Sequence, residues 1–266
     1  MKVLRRSIRT GLAAMPVVMS MAAGDAAAQA MPVVSVEATT EENRRGLSWS
    51  EGRASASADL FAQIGRVEAT ARVAALRNAV RHGQSDAVVD LGLASGWTVA
   101  GFTLRAQATG HLFVGGQVSG GQAGGGSAAG KEEPLNYGEF GASASYSYGP
   151  VRLQAGANYA PHQDAIGGSN LHLFADMSAG IPATPLTVVA GIGRSSGDSD
   201  GTGRANRLRP GGTYVNWRLG VEHVRGPLSI AVDYVGTDIE RDDVPAGGYD
   251  NRHDGNRLIA RARYSF

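Results

Sequence analysis

Cysteine is absent from the 266-residue chain. That excludes a disulfide framework, a thiolate zinc site and a cysteine nucleophile. Lysine is almost absent too, with only Lys2 and Lys131. Aromatic residues make up 6% and charged residues 18%, the latter below the ~25% typical of soluble domains. The formal net charge is +1, so no lopsided basic face is available to neutralise nucleic-acid phosphates. Past the N-terminus no apolar run reaches the roughly 18 residues of a helical membrane span. The six histidines are dispersed, without the usual zinc spacing, and no cofactor motif is present. What the chain does have is glycine, 38 residues without a G-X-Y period, which excludes collagen.

The first thirty residues have the three-part order of a secretion signal. Lys2, Arg5, Arg6 and Arg9 form a basic start, Gly11 to Ala23 is mostly apolar, and Ala28-Gln29-Ala30 is a small-x-small cleavage pattern. The expected division is a signal peptide over 1–30 and a mature domain over 31–266. Removing 1–30 takes away four basic residues and one acid. The mature chain keeps 21 basic and 23 acidic residues, a net charge of −2.

The mature chain alternates. From Val151 to Tyr159 the odd positions are apolar and the even ones polar or tiny. From Leu228 to Tyr234 the even positions are apolar, and from Val67 to Val73 the odd ones. A period of two sends successive side chains to opposite faces of a strand. This pattern predicts about twelve strands: 33–41, 53–64, 66–76, 86–95, 98–109, 137–148, 151–160, 169–180, 186–195, 213–223, 228–238 and 256–266. Most have the roughly 9–11 residues that a tilted strand needs to cross a bilayer.

The connections alternate as well. Gly65, Gly96–Trp97, Gly149–Pro150, Ile181–Pro185 and Val224–Pro227 read as tight turns. Segments 42–52, 77–85, 110–136, 161–168, 196–212 and 239–255 read as longer polar loops. Short turns at one end and long loops at the other are the layout of an outer-membrane barrel. The chain also ends on an alternating strand, Leu258 to Phe266, with Phe266, Tyr264, Ala262, Ala260 and Leu258 on one face. A soluble β-sandwich alternates too, but its ~10 Å core calls for heavier side chains than Ala54, Ala56, Ala58 and Ala62 supply. The expected fold is all-β: a transmembrane antiparallel up-and-down β-barrel of about twelve strands, in the outer membrane.

Arginine on a lipid face costs roughly 2–4 kcal/mol near the midplane, so the polar parity of each strand should face the lumen. The candidate lumen-lining residues are Glu68, Arg72, Arg105, Glu139, Arg152, Asp176, Arg218, Glu222, Asp233, Arg257, Arg261 and Arg263. Glu37, Asp59 and Asp90 share that parity. Opposed charges in a lumen either select ions and small polar solutes or pair off and fill a narrow barrel. Arg257, Arg261 and Arg263 stand out as an anion-attracting wall. Ser55, Ser57, Gly141, Ser143, Ser145, Gly156, Gly191 and Gly193 would leave room for water. Tyr146, Tyr148, Tyr159, Trp217, Tyr234, Tyr264 and Phe266 fall on the outward parity, several near strand ends where an interfacial girdle belongs.

Two motifs weaken on inspection. His172, Asp176 and Ser178 share one face, and barrel-type lipid hydrolases use a Ser and a His. But His172 and Ser178 lie about 20 Å apart along a strand, beyond hydrogen-bond reach. Asp198-Ser-Asp-Gly-Thr-Gly begins like a calcium loop, yet Arg209 stands where a bidentate Glu is required.

Three stretches carry a family resemblance: Arg44-Arg-Gly-Leu-Ser-Trp-Ser-Glu-Gly-Arg53; Tyr137-Gly-Glu-Phe-Gly-Ala with Tyr146-Ser-Tyr-Gly-Pro150 and Tyr159-Ala-Pro161; and Tyr214-Val-Asn-Trp-Arg-Leu-Gly-Val221 with Leu228 to Tyr234. In these the chain resembles the TorF-type porins, a group of proteobacterial outer-membrane barrels. The resemblance implies a transport role and no catalytic residues. The expected function is therefore passive diffusion of ions or small polar solutes, without an enzymatic activity or a cofactor. The alternatives are a closed structural or surface-recognition barrel working through its long loops, and, behind it, a barrel-type lipid hydrolase. Expected partners are outer-membrane lipids and lipopolysaccharide, the barrel-assembly machinery during biogenesis, and small polar solutes, with no nucleic acid.

Overall fold

The computed structural model describes residues 32–116, 135–240 and 253–266. The signal peptide expected over 1–30, most of loop 110–136 and the middle of loop 239–255 lie outside the described residues. Twelve antiparallel strands close into a barrel: β1 (Val33–Thr39), β4 (Ser55–Ile64), β5 (Val67–Ala79), β6 (Ser85–Val99), β7 (Phe102–Val114), β8 (Tyr137–Tyr148), β9 (Val151–Gln163), β10 (Gly168–Gly180), β11 (Leu186–Ser196), β12 (Tyr214–Arg225), β13 (Leu228–Thr237) and β14 (Arg257–Ser265). Two short strands, β2 (Asn43–Arg44) and β3 (Leu47–Ser48), form a separate hairpin between β1 and β4. The barrel shuts where β1 pairs with β14, Ser35 opposite Ser265 and Thr39 opposite Arg261.

The predicted alternation is the physical cause of this sheet. On β13, Leu228, Ile230, Val232 and Tyr234 are exposed while Ala231, Asp233 and Val235 are buried. β14 repeats this, with Leu258 at 70% exposure and Ile259 at 2%. Large apolar side chains such as Leu93, Phe140, Leu153, Ile192 and Leu219 stand on the outer face all around the barrel. A closed sheet with apolar residues outside and charge inside is stable only when its outside is lipid, since water would leave that surface unburied. Tyr148 and Phe266 lie beside the short turns and are 78% and 75% exposed, the position of an interfacial aromatic.

The sequence reading needs three corrections. The turn expected at Gly96–Trp97 lies at Ala100–Gly101, where both residues have positive φ, 50° and 84°. Two positive φ values are what a two-residue hairpin turn demands. Gly96 simply continues β6, paired with Arg105. Second, neither 77–85 nor 161–168 is a long loop; β5 runs to Ala79 and only a 3-10 turn, Val80–His82, separates it from β6. β9 runs on to Gln163 and only a 3-10 turn, Asp164–Ile166, separates it from β10. Third, segment 42–52 is not an outer loop. It folds into the barrel.

Candidate functional site

Hairpin β2–β3 enters the lumen from the long-loop end. Arg45 and Gly46 form its two-residue tip with φ of 54° and 80°, the backbone that a type I′ turn requires. Glycine is needed at the second position for space as well. A Cβ on Gly46 would press on the Thr237 and Asn216 side chains at 2.5 and 2.8 Å. The tip thus packs against β12 and β13. Tyr214 Oη donates to the Arg45 carbonyl at 3.0 Å, and Arg257 Nη2 to the Gly46 carbonyl at 3.1 Å.

Ion pairs hold the hairpin in place. Arg257 Nη2 lies 2.6 Å from Glu41 Oε1. Arg44 bridges Glu42 at 3.1 Å and Asp90 at 2.7 Å. Arg45 Nη2 is 2.7 Å from Glu139 Oε2. All but the Arg257–Glu41 pair belong to one continuous chain of alternating charge across the lumen. It starts at Arg218 and Asp233, 2.7 Å apart. Asp233 accepts from Arg261 Nε at 2.9 Å, and Arg261 lies 3.8 Å from Glu37. Glu37 meets Arg263 at 3.2 Å, and Arg263 meets Asp59 at 3.1 Å. Arg72 then joins Asp59 at 3.2 Å to Glu42 of the hairpin at 3.1 Å. From Asp90 the chain passes to His111 at 2.7 Å and on to Glu139 at 3.6 Å. Each charge is flanked by the opposite sign, which offsets the cost of taking it from water.

The mouth above the hairpin is a small apolar core. Leu47 and Trp49 of the hairpin pack with Leu76, Val88, Ile166, Leu208 and Tyr214. His82 is fully buried, its ring 4.2 Å from Trp49 and 5.0 Å from Phe113. Burial first, and then the nearby charges of Arg207, Arg81 and Arg44, push the His82 imidazole well below its ordinary pKa, so it stays neutral. Arg81 pairs with Asp254, whose other oxygen accepts from Ser48 N at 3.1 Å. Arg207 donates to the carbonyls of Leu135, at 3.1 Å, and of Ala165. Arg209, the residue that spoiled the calcium pattern, donates to the carbonyls of Gly197, Asp198 and Ser169 at 2.8, 2.6 and 3.1 Å. Its guanidinium does for this loop what a cation would do.

Below the hairpin, on the side of β7 to β12, lies a cavity of about 440 Å³. Asn43, Arg45 and Gly46 roof it, and it extends to Thr103 and Arg152, two residues from the short turns. Gln107, Ser143, Gln154, Asn158 and Asp176 are among its lining.

Of the sequence candidates, Arg105, Arg152, Asp176 and Arg218 line this cavity. Arg72, Asp233, Arg261 and Arg263 join the charge chain, and Glu139 ends it. Glu68 pairs with Arg105 and Glu222 accepts from Ser229, both apart from that chain. The anion-attracting wall expected of Arg257, Arg261 and Arg263 does not form. Each guanidinium is already matched to Glu41, Asp233, Glu37 or Asp59. Of the small residues expected to leave space, Ser143, Ser145 and Gly191 do line the cavity. At Gly156 the Phe174 ring fills the gap, and at Gly193 the His172 ring does.

Sequence reasoning missed the hairpin charges Glu41, Glu42, Arg44 and Arg45. Their signal was the burst of charge beside Leu47 and Trp49, two large apolar residues that an outer loop has no use for. It also missed a His–Ser contact. His172 Nδ1 lies 3.0 Å from Ser195 Oγ on the neighbouring strand. Ser195 is fully buried, so its hydroxyl is not presented to a substrate.

Fold and site together define a membrane β-barrel whose polar lumen holds its own first connection. The chain belongs to the Gcw_chp family, described as bacterial proteins of unknown function, whose model matches residues 124–257. No curated protein matches it. Among solved structures it is similar to an outer membrane channel of Pseudomonas putida F1, at 11% identity and a TM-score of 0.48, covering 92% of this chain and 98% of that one. The outer membrane channel DcaP of Acinetobacter baumannii matches at 11% identity and TM-score 0.41, over 88% and 96%. LpxR of Salmonella typhimurium matches at 10% and 0.45, over 88% and 99%.

Proposed function

We propose that the protein is a TorF-type outer-membrane channel for passive diffusion of small polar solutes, gated by hairpin β2–β3. The observation that carries this is the plug's chemistry. Ion pairs and hydrogen bonds tie most of the hairpin to the wall, Leu47 and Trp49 alone add apolar contacts, and a polar cavity lies beneath it. Withdrawing the hairpin hydrates both partners of each pair, and the regained hydration offsets the lost attraction, so the hairpin can leave and a continuous polar path remains. The twelve lumen-facing candidates would then form the path's lining. Export by the N-terminal signal, insertion by the barrel-assembly machinery and contact with lipopolysaccharide follow from this reading.

The test is single-channel recording in planar bilayers, comparing the purified protein with Gly46→Ala. Alanine at the tip clashes with Thr237 and Asn216, which should cost about 1–3 kcal/mol of docking. The wild type should give rare or small steps, and the variant longer and larger ones. No steps from either protein, in several salts, would overturn the channel.

The rigid mouth favours a second reading, a recognition barrel acting through its loops. Arg81, Arg207 and Arg209 knit those loops into one fixed surface. We do not assign an enzymatic role, and release of fatty acid from phospholipid or lipid A by the purified protein would refute that choice.

A further inference from the structure

The cavity beneath the hairpin offers two unused charges. Arg45, Arg105 and Arg218 each have a carboxylate partner. Arg152 has none among the described residues, and its Nη2 donates only to Ser145 Oγ at 3.3 Å. Asp176 likewise has no ion-pair partner among the described residues, and Arg218, two strands away on the same face, is turned to Asp233.

These two side chains stand on adjacent strands. Asp176 is opposite Gln154 in the β9–β10 register, so Arg152 is one diagonal step away, about 7 Å along the sheet. An arginine and an aspartate at that spacing ordinarily close on each other. Here they lean apart. Arg152 reaches toward Ser145 on β8, and the Asp176 carboxylate lies over Gly191 on β11, where a Cβ would collide with it. A positive and a negative pole are left on either side of an open gap. Asn216 adds a buried Oδ1 without a hydrogen-bond partner in the same cavity, and Phe174 supplies an apolar ring face. The volume of about 440 Å³ falls in the ~300–1,000 Å³ range of small-molecule sites.

We infer that this cavity binds a small zwitterionic solute, an α-amino acid or short peptide, with its carboxylate on Arg152 and its ammonium on Asp176. This rests on the channel reading and names the solute class that the channel would favour. A solute bridging the two poles satisfies both charges at once. A simple anion or cation leaves one of them unmatched, so the gain should exceed that of either ion alone.

The protein in detergent would be titrated calorimetrically with L-glutamine, with acetate and methylammonium as single-charge controls. Saturable glutamine binding is expected, with both controls weaker by about tenfold or more, a difference of ~1.4 kcal/mol. Arg152→Gln and Asp176→Asn should each weaken glutamine by a similar factor, whereas Arg152→Lys and Asp176→Glu, which keep the charge, should retain much of it. No saturable heat with glutamine, acetate binding as tightly as glutamine, or unchanged affinity in Asp176→Asn would overturn the site. Liposome uptake separates this outcome from failure of the channel. Glutamine that binds but never enters liposomes removes the channel and keeps the site. Uptake of glutamine and glycerol alike, without saturable binding, keeps the channel and removes the site.

Discussion

The two halves of the lumen wall are built on the same backbone and filled in opposite ways. From β12 through β14 and β1 to β6, alternating charges run in an unbroken chain, of which only the first member, Arg218, borders the cavity. From β7 to β11 the inward positions are largely serine, glycine, asparagine and glutamine, and a cavity remains. The difference follows from side-chain reach. Arginine and glutamate are long enough to meet near the barrel axis and through the hairpin. Serine and glycine end close to the wall, and the short amides bond only to near neighbours, as Gln107 does to Asn158 at 3.2 Å. One half therefore gives rigidity and the other gives volume. A barrel of this width needs both if it is to stay closed and still hold a solute.

The largest expected effect comes from breaking the charged half. Glu37 is 6% exposed and lies within 4 Å of Arg72, Arg261 and Arg263. Glu37→Gln leaves these guanidinia short of a counter-charge and should cost about 3–5 kcal/mol. Urea unfolding in lipid vesicles would measure it, and a loss under about 1 kcal/mol would show that the chain of charges is decorative.

An intermediate effect is expected at the mouth, where His82 joins the hairpin to the loops. Its folded pKa is depressed, so below its unfolded value of about 6.5 the unfolded chain binds a proton that the folded chain refuses. Stability is therefore complete above that pH and falls as the pH drops, by up to about 1.4 kcal/mol per unit. Melting temperatures between pH 8 and pH 5 should fall in the wild type and fall less in His82→Gln. Equal slopes would remove His82 from the account.

The smallest effect belongs to the neutral half. Ser145 makes one 3.3 Å contact with Arg152, so Ser145→Ala should change stability by no more than about 0.5 kcal/mol. A larger loss would mean that the two halves are less distinct than their packing implies.

Strand number and facing were legible because lipid enforces a period of two at nearly every position. Phe140, Leu153 and Ile192 all sit where parity put them. The turn at Ala100–Gly101 was not, because Gly96 looks like a breaker and alanine does not, although alanine takes the positive φ there. The hairpin was hidden for another reason. Its partners Glu139, Tyr214 and Arg257 lie 94, 169 and 216 residues away or nearly so, and no local pattern encodes contacts of that span. Arg152 and Asp176 were found as inward charges, but only the register shows that they are neighbours that do not pair.

Those same spans set an order of events in assembly. The hairpin is made early, between the first two wall strands, yet nearly everything it docks on comes later in the chain. Contacts that distant form slowly, since the closure entropy comes before the gain. The wall must therefore curl and seal first, with its lumen open and wet, and the plug seats last.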